Sequence, residues 1–182
     1  IYETWLGLTL ALGTAILFTS LHILQNRWWL WTLALLNFVA AYFAFFQLEA
    51  IQKIDIFFGY QLLGITILYL LPDLFLKKDW ILNLQWRLPL RIFGAAFLFI
   101  TSIVLFTQDK SGHIAINYFI LALFCTAYAL AYRNAYLAYL PAAYLALTTV
   151  YTLDAFNVDA WLPALTGLSV IYYLAGVFLR KQ

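Results

Sequence analysis

The sequence predicts an all-α fold, a polytopic transmembrane helix bundle of about seven spans. Its N-terminus lies outside and its C-terminus is cytoplasmic. Three observations predict this. Hydrophobic residues make up 66% of the 182 residues, against roughly 45–50% in an ordinary soluble domain. Apolar runs recur at the length that crosses a bilayer, about 20 residues each. The charges, only 10% of the chain, separate by sign between the two sides that those runs would connect. A β-barrel is excluded, because runs such as Ile65–Leu71 do not alternate as barrel strands must.

By length and charge the spans are Thr4–Leu24, Trp28–Leu48, Asp55–Leu76, Pro89–Thr107, Ala115–Tyr132, Ala135–Leu153 and Ala160–Leu179. Together they form a single transmembrane domain over residues 1–182. Lys77–Leu88 is the longest loop and carries Trp80, Ile81, Leu84, Trp86 and Leu88 among polar residues. It reads as a short interfacial segment. Pro89 then opens the fourth span, where a missing N–H costs nothing. Seven spans take about 140 residues, which leaves no room for a soluble catalytic domain.

Placed on alternating sides, the charges divide. Arg27, Lys77, Lys78, Arg87, Arg91, Arg133, Arg180 and Lys181 share one side, eight of the ten basic residues. Only Lys53 and Lys110 lie on the other, with Glu3, Glu49, Asp55, Asp109, Asp154 and Asp159. The basic side is the cytoplasmic one. Tryptophans mark the borders: Trp5 and Trp161 at outer helix ends, and Trp28, Trp29, Trp31, Trp80 and Trp86 at inner ends. There an indole satisfies both its apolar ring and its N–H. A net charge of +2 is too small to argue for nucleic acid. The partners expected are the lipid bilayer, other membrane subunits or a further part of the same chain.

The chain also repeats itself. Leu48-Glu49-Ala50-Ile51-Gln52 matches Leu153-Asp154-Ala155-Phe156-Asn157, and Gly64-Ile65-Thr66-Ile67-Leu68-Tyr69 matches Gly167-Leu168-Ser169-Val170-Ile171-Tyr172. Gly13-Thr14-Ala15-Ile16-Leu17-Phe18 is a third copy. Nine residues after each aromatic stands a base: Arg27, Lys78 and Lys181. The unit is a tandem helical hairpin: inward helix, basic turn, outward helix, acidic turn. The repeated glycine reads as a packing seam, since a small residue lets a neighbour approach. The seventh span has no outward partner, and the chain starts at Ile1 and contains no methionine. Both features predict a fragment of a longer polytopic chain.

Candidate chemistry is sparse. Ionisable residues are missing from the middle of every span, against pumps, ion-coupled transporters and most channels. Neither a metalloprotease pair, a nucleophile elbow nor a facing aspartate pair occurs. No enzyme and no cofactor is expected. His22 and His113, at opposite ends of their spans, cannot share a metal or haem. His22 reads as interface packing and His113 as a solvated loop residue. Lone Cys125 reads as a small buried apolar residue. Tyr132, Tyr136 and Tyr139 follow helical spacing across an inner turn and read as an interfacial belt. The residues with the best claim to a ligand or transport path are Asn37, Gln61, Thr66, Asp73 and Arg91. Asn37 is an amide near a bilayer centre, which needs partners. Gln61 and Thr66 are polar at depth. Asp73 follows Pro72 at the end of the third span, in reach of Arg91 and Lys77 for an ion pair.

The stretch Ala127-Tyr128-Ala129-Leu130-Ala131-Tyr132-Arg133, followed at once by another apolar span, resembles the inner turns of large bacterial membrane proteins that stack many short-turn helical hairpins and have no assigned activity. The resemblance implies a bacterial inner-membrane setting and carries over no functional residues. The function expected is structural or assembly-related, within a larger polytopic protein. The alternative is a transporter or a module binding a lipid or small molecule.

Overall fold

The computed structural model describes residues 2–75, 84–133 and 135–179. Among them the regular structure is all helical. It runs α1 (Tyr2–Gln25), α2 (Trp28–Phe46), α3 (Glu49–Gln52), α4 (Phe58–Phe75), α5 (Leu84–Phe106), α6 (Ser111–Tyr132), a 3-10 turn (Ala135–Ala138), α7 (Tyr139–Ala155) and α8 (Trp161–Leu179). Four of the helices contain stretches long and apolar enough to cross a membrane: Thr4–Gln25, Trp28–Phe46, Trp86–Phe106 and Ser111–Tyr132. Phe58–Leu74 is apolar but shorter. Residues Ile1–Thr101 and Ser102–Gln182 form two compact units.

Unit 1 begins with an antiparallel hairpin of α1 and α2. Ala15 and Ala34 are wholly buried, and such small side chains let two backbones approach closely. The turn is two residues long. Asn26 takes the left-handed conformation, φ 50°, which its short polar side chain tolerates better than most. Its N–H closes the helix on the His22 carbonyl at 2.7 Å. The core of the unit is Leu35, Ile65, Tyr69 and Leu90, flanked by Trp31, Val39, Tyr42, Phe43, Phe93 and Phe97. Tyr69 stacks between Phe93 and Phe97, with ring centroids 5.6 and 5.7 Å away. Its buried hydroxyl donates to the Leu35 carbonyl at 2.5 Å.

Unit 2 contains a second hairpin, α6 with α7. Here the turn residue is Arg133, φ 47°, which stops α6 after Tyr132. Tyr132, Tyr136 and Tyr139 therefore do not lie along one continuous helix, since the left-handed residue and the 3-10 turn intervene. Tyr118 is wholly buried and stacks on Tyr144 and Tyr151 at 5.9 and 5.7 Å.

Several elements depart from the expected boundaries. Glu49–Gln52 forms a short helix where a plain loop was expected. The fourth long helix starts at Leu84, so Pro89 stands inside it and does not open it. Helix is retained there because Pro89 is only in the second turn, where it removes a single bond to Gln85, and because neighbours hold the first turn. Of the expected interfacial segment, residues 77–83 lie outside the described residues and 84–88 belong to α5. His113 sits in the first turn of α6, which begins at Ser111. It is exposed, but on a helix and not in a loop.

The repeated glycines do not share one role. A Cβ at Gly64 would collide with the Tyr42 hydroxyl, while nothing lies within 4 Å of one at Gly13 or Gly167. A seam that the repeat did not mark lies at Gly94, where a Cβ would meet Cγ and Cδ2 of Leu70. Gly94→Ala is expected to cost about 1–3 kcal/mol by overpacking. Gly167→Ala is expected to gain up to about 1 kcal/mol from helix propensity. Thermal melts of the two variants in detergent should therefore move in opposite directions.

Candidate functional site

The five expected path residues fall into separate local arrangements. Asn37, half-buried on α2, accepts a bond from the Thr14 hydroxyl of α1 at 2.8 Å. Its amide N–H donates to the Leu33 carbonyl at 2.8 Å. Gln61, in the first turn of α4, donates its side-chain amide N–H to the Ile56 carbonyl at 3.1 Å, and its backbone carbonyl accepts the Tyr42 hydroxyl at 2.7 Å. Thr66 is wholly buried. It donates to Leu62 and faces the buried Thr101 hydroxyl of α5 at 3.0 Å. None of these three lines the two apolar cavities of unit 1.

Asp73 and Arg91 do come together, with an addition. The Asp73 side chain is completely buried in the last turn of α4. One carboxylate oxygen accepts Nε–H of Arg87 at 2.6 Å and the other accepts Nε–H of Arg91 at 2.8 Å. Arg87 and Arg91 stand four apart on α5, so one helix face presents both guanidiniums. Arg87 also approaches the Asp73 carbonyl, in the last turn of α4, at 3.4 Å. Arg87 was legible only through that i, i+4 spacing. Lys77, the other expected partner of Asp73, lies outside the described residues.

Beside this cluster sits an aromatic knot that the sequence reading missed. His22 is completely buried at the end of α1. Its Nδ1 lies 2.7 Å from the Arg27 carbonyl, so Nδ1 carries the proton and the ring bridges the α1–α2 turn. The same carbonyl accepts the Leu30 N–H at 3.1 Å. Nε2 of His22 is buried with no hydrogen-bond partner among the described residues. The imidazole meets Trp86 edge-on at 4.2 Å and lies over Trp31 at 6.0 Å. The Trp31 indole N–H donates to the Trp86 carbonyl at 3.0 Å, which fixes the first turn of α5. Trp31 and Trp86, expected as border anchors, are thus drawn into packing between helices, whereas Trp28 and Trp29 remain exposed.

Next to the knot a cavity of about 370 Å³ is lined by Trp31, Leu35, Phe38, Leu68, Tyr69, Pro72, Trp86 and Leu90. A second cavity, of about 280 Å³, shares Phe38, Leu68 and Tyr69 with it and extends to Leu8, Leu12 and Phe45. Their walls are almost wholly apolar. No group of three or more histidine, cysteine or acidic side chains able to hold a metal occurs among the described residues. Compared with known protein families, with characterised proteins and with solved structures, the chain shows no match.

Proposed function

We propose that the chain is a multi-pass membrane protein of seven spans, set in a bacterial inner membrane, with a non-enzymatic structural role in a larger polytopic assembly. The observation that carries this reading is the fate of the polar side chains within the helices. Asn37 is engaged with Thr14, Thr66 with Thr101, and Ser102 with Tyr144. Groups spent in interhelical bonds are the glue of a membrane bundle and do not line a water-filled path. The outward surface supports the setting: Leu6, Leu10, Leu17, Ile23, Phe99, Ile103 and Leu123 are large, apolar and exposed, as lipid-facing residues are and surface residues of soluble proteins seldom are in such numbers. The two short-turn hairpins support a tandem repeat, and the basic residues Arg27 and Arg133 at those turns support a cytoplasmic side for both.

Cysteine labelling tests the reading. In a Cys125→Ala background, a membrane-impermeant maleimide is applied to intact cells and to inverted vesicles. Asn157→Cys is expected to react from outside and Asn26→Cys only from inside. Asn37→Cys and Thr66→Cys are expected to react from neither. Labelling at the last two would put water at mid-membrane and replace the structural reading with a transport path.

A further inference from the structure

We propose that the turn between α7 and α8 in unit 2 carries a binding site for an organic ammonium group, borne by a phospholipid headgroup or by a soluble amine. Only the lipid source rests on the membrane setting proposed above. A cavity, the charge around it and the character of its wall carry the inference.

The cavity holds about 290 Å³, and its lining includes Leu153, Asp154, Asn157, Val158, Asp159 and Trp161. That is close to the roughly 300 Å³ at which ligand pockets begin. The sequence builds it locally. Helix α7 ends at Ala155, and Asn157 takes the left-handed conformation, φ 54°. The Asn157 N–H closes on the Asp154 carbonyl at 3.0 Å and the Val158 N–H on the Leu153 carbonyl at 2.9 Å. This paired closure stops the helix and brings the residue after the turn back toward its last turn. Asp159 and Trp161, where α8 starts, thereby come to share one cavity with Asp154.

The charge there is uncompensated. Asp154 stands in the last turn of α7, the negative end of the helix dipole, where a cation is favoured and a carboxylate is not. That turn holds no base. The Ser111 hydroxyl donates to one Asp154 carboxylate oxygen. Neither Asp154 nor Asp159 forms an ion pair among the described residues. Two carboxylates and a helix end therefore make the cavity negative.

The wall decides which cation fits. Trp161 offers an indole, which attracts an ammonium group, and Leu153 and Val158 offer aliphatic surface for the carbons attached to it. A hard metal ion takes six or more oxygens, from the protein or from water, and gains nothing from those three residues. In the topology proposed above this turn lies at the outer border, where headgroup amines lie.

The test is native mass spectrometry of the full chain in detergent, titrated with phosphatidylethanolamine, with phosphatidylglycerol of the same acyl chains, and with calcium. Wild type is expected to retain phosphatidylethanolamine about tenfold better than phosphatidylglycerol. Asp154→Asn with Asp159→Asn is expected to erase that preference. An asparagine still accepts the Ser111 hydroxyl, so the turn is kept. Trp161→Leu keeps both charges and is expected to reduce the preference to about threefold. Competition with ethanolamine separates the two sources: displacement of the lipid supports a site for the ammonium group itself, and persistence supports one for the headgroup. Equal retention of the two lipids by wild type, or an unchanged preference in either variant, overturns the site. Calcium retained in place of the amine overturns it in favour of a metal site. Circular dichroism melts confirm that the variants are folded. The maleimide experiment reads the membrane setting independently, so its failure is distinguishable from a failure of this site.

Discussion

Removing both guanidiniums, in Arg87→Gln with Arg91→Gln, is expected to destabilise unit 1 by about 3–5 kcal/mol, the range for stranding one member of a buried ionic group. The asymmetry of burial decides which deletion hurts most. Asp73 is wholly buried, and these two ion pairs compensate its charge. The arginine side chains keep some access to water, at 18% and 40% exposure. Asp73→Asn, which leaves the arginines behind, is therefore expected to cost less, about 1–2 kcal/mol after discounting for the exposure of Arg91. Thermal melts in detergent rank the two. If Asp73→Asn were the more damaging, the carboxylate would be holding the arginines in place, and the α4–α5 junction would depend on them instead.

In unit 2 the largest effect is expected at Tyr118. Its ring packs on Phe106, Tyr144 and Tyr151. Its hydroxyl donates to the Ser102 carbonyl at 2.9 Å, while the Ser102 hydroxyl pairs with Tyr144 at 2.8 Å. Truncating a buried aromatic costs about 3–5 kcal/mol in a soluble core. Part of that is transfer from water, which disappears when the unfolded reference also lies in lipid, so packing and hydrogen bonding remain. Tyr118→Ala is therefore expected to cost about 2–3 kcal/mol, and Tyr118→Phe only about 1 kcal/mol for the lost hydrogen bond. Chemical denaturation in mixed micelles separates them. Equal losses would mean that the hydroxyl, and not the stack, holds α6 to the start of unit 2.

What the sequence made legible follows from how locally each feature is encoded. Apolar runs interrupted by Gln25-Asn26-Arg27 or by the polar stretch from Asp154 to Asp159 mark helices and turns directly, because several polar residues close together end a hydrophobic stretch. The Asp73–Arg91 pair was legible because few charges exist, so those on one side have few partners. Arg87 was missed because Pro89 was read as a helix start. The expected boundary put Arg87 in a loop and hid its spacing from Arg91. His22 was legible as packing, but its bridge to Arg27 depends on the left-handed turn at Asn26, which composition does not announce. Gly64 and Gly167 looked alike in sequence and differ in surroundings, since what meets a glycine belongs to another helix and leaves no trace in the matching hexapeptide.

The two-residue connection between α1 and α2 also bears on how the protein is made. A turn that short, latched by the His22 ring over the Arg27 carbonyl, gives the nascent chain no slack to leave one arm waiting at the translocon while the other enters lipid. In the proposed membrane setting the arms partition together, as one insertion event. The decision about orientation is then taken once per pair, at the base that sits in the turn. A substitution of Arg27 would be felt during synthesis, as inverted or stalled pairs, well before it was felt in the finished fold.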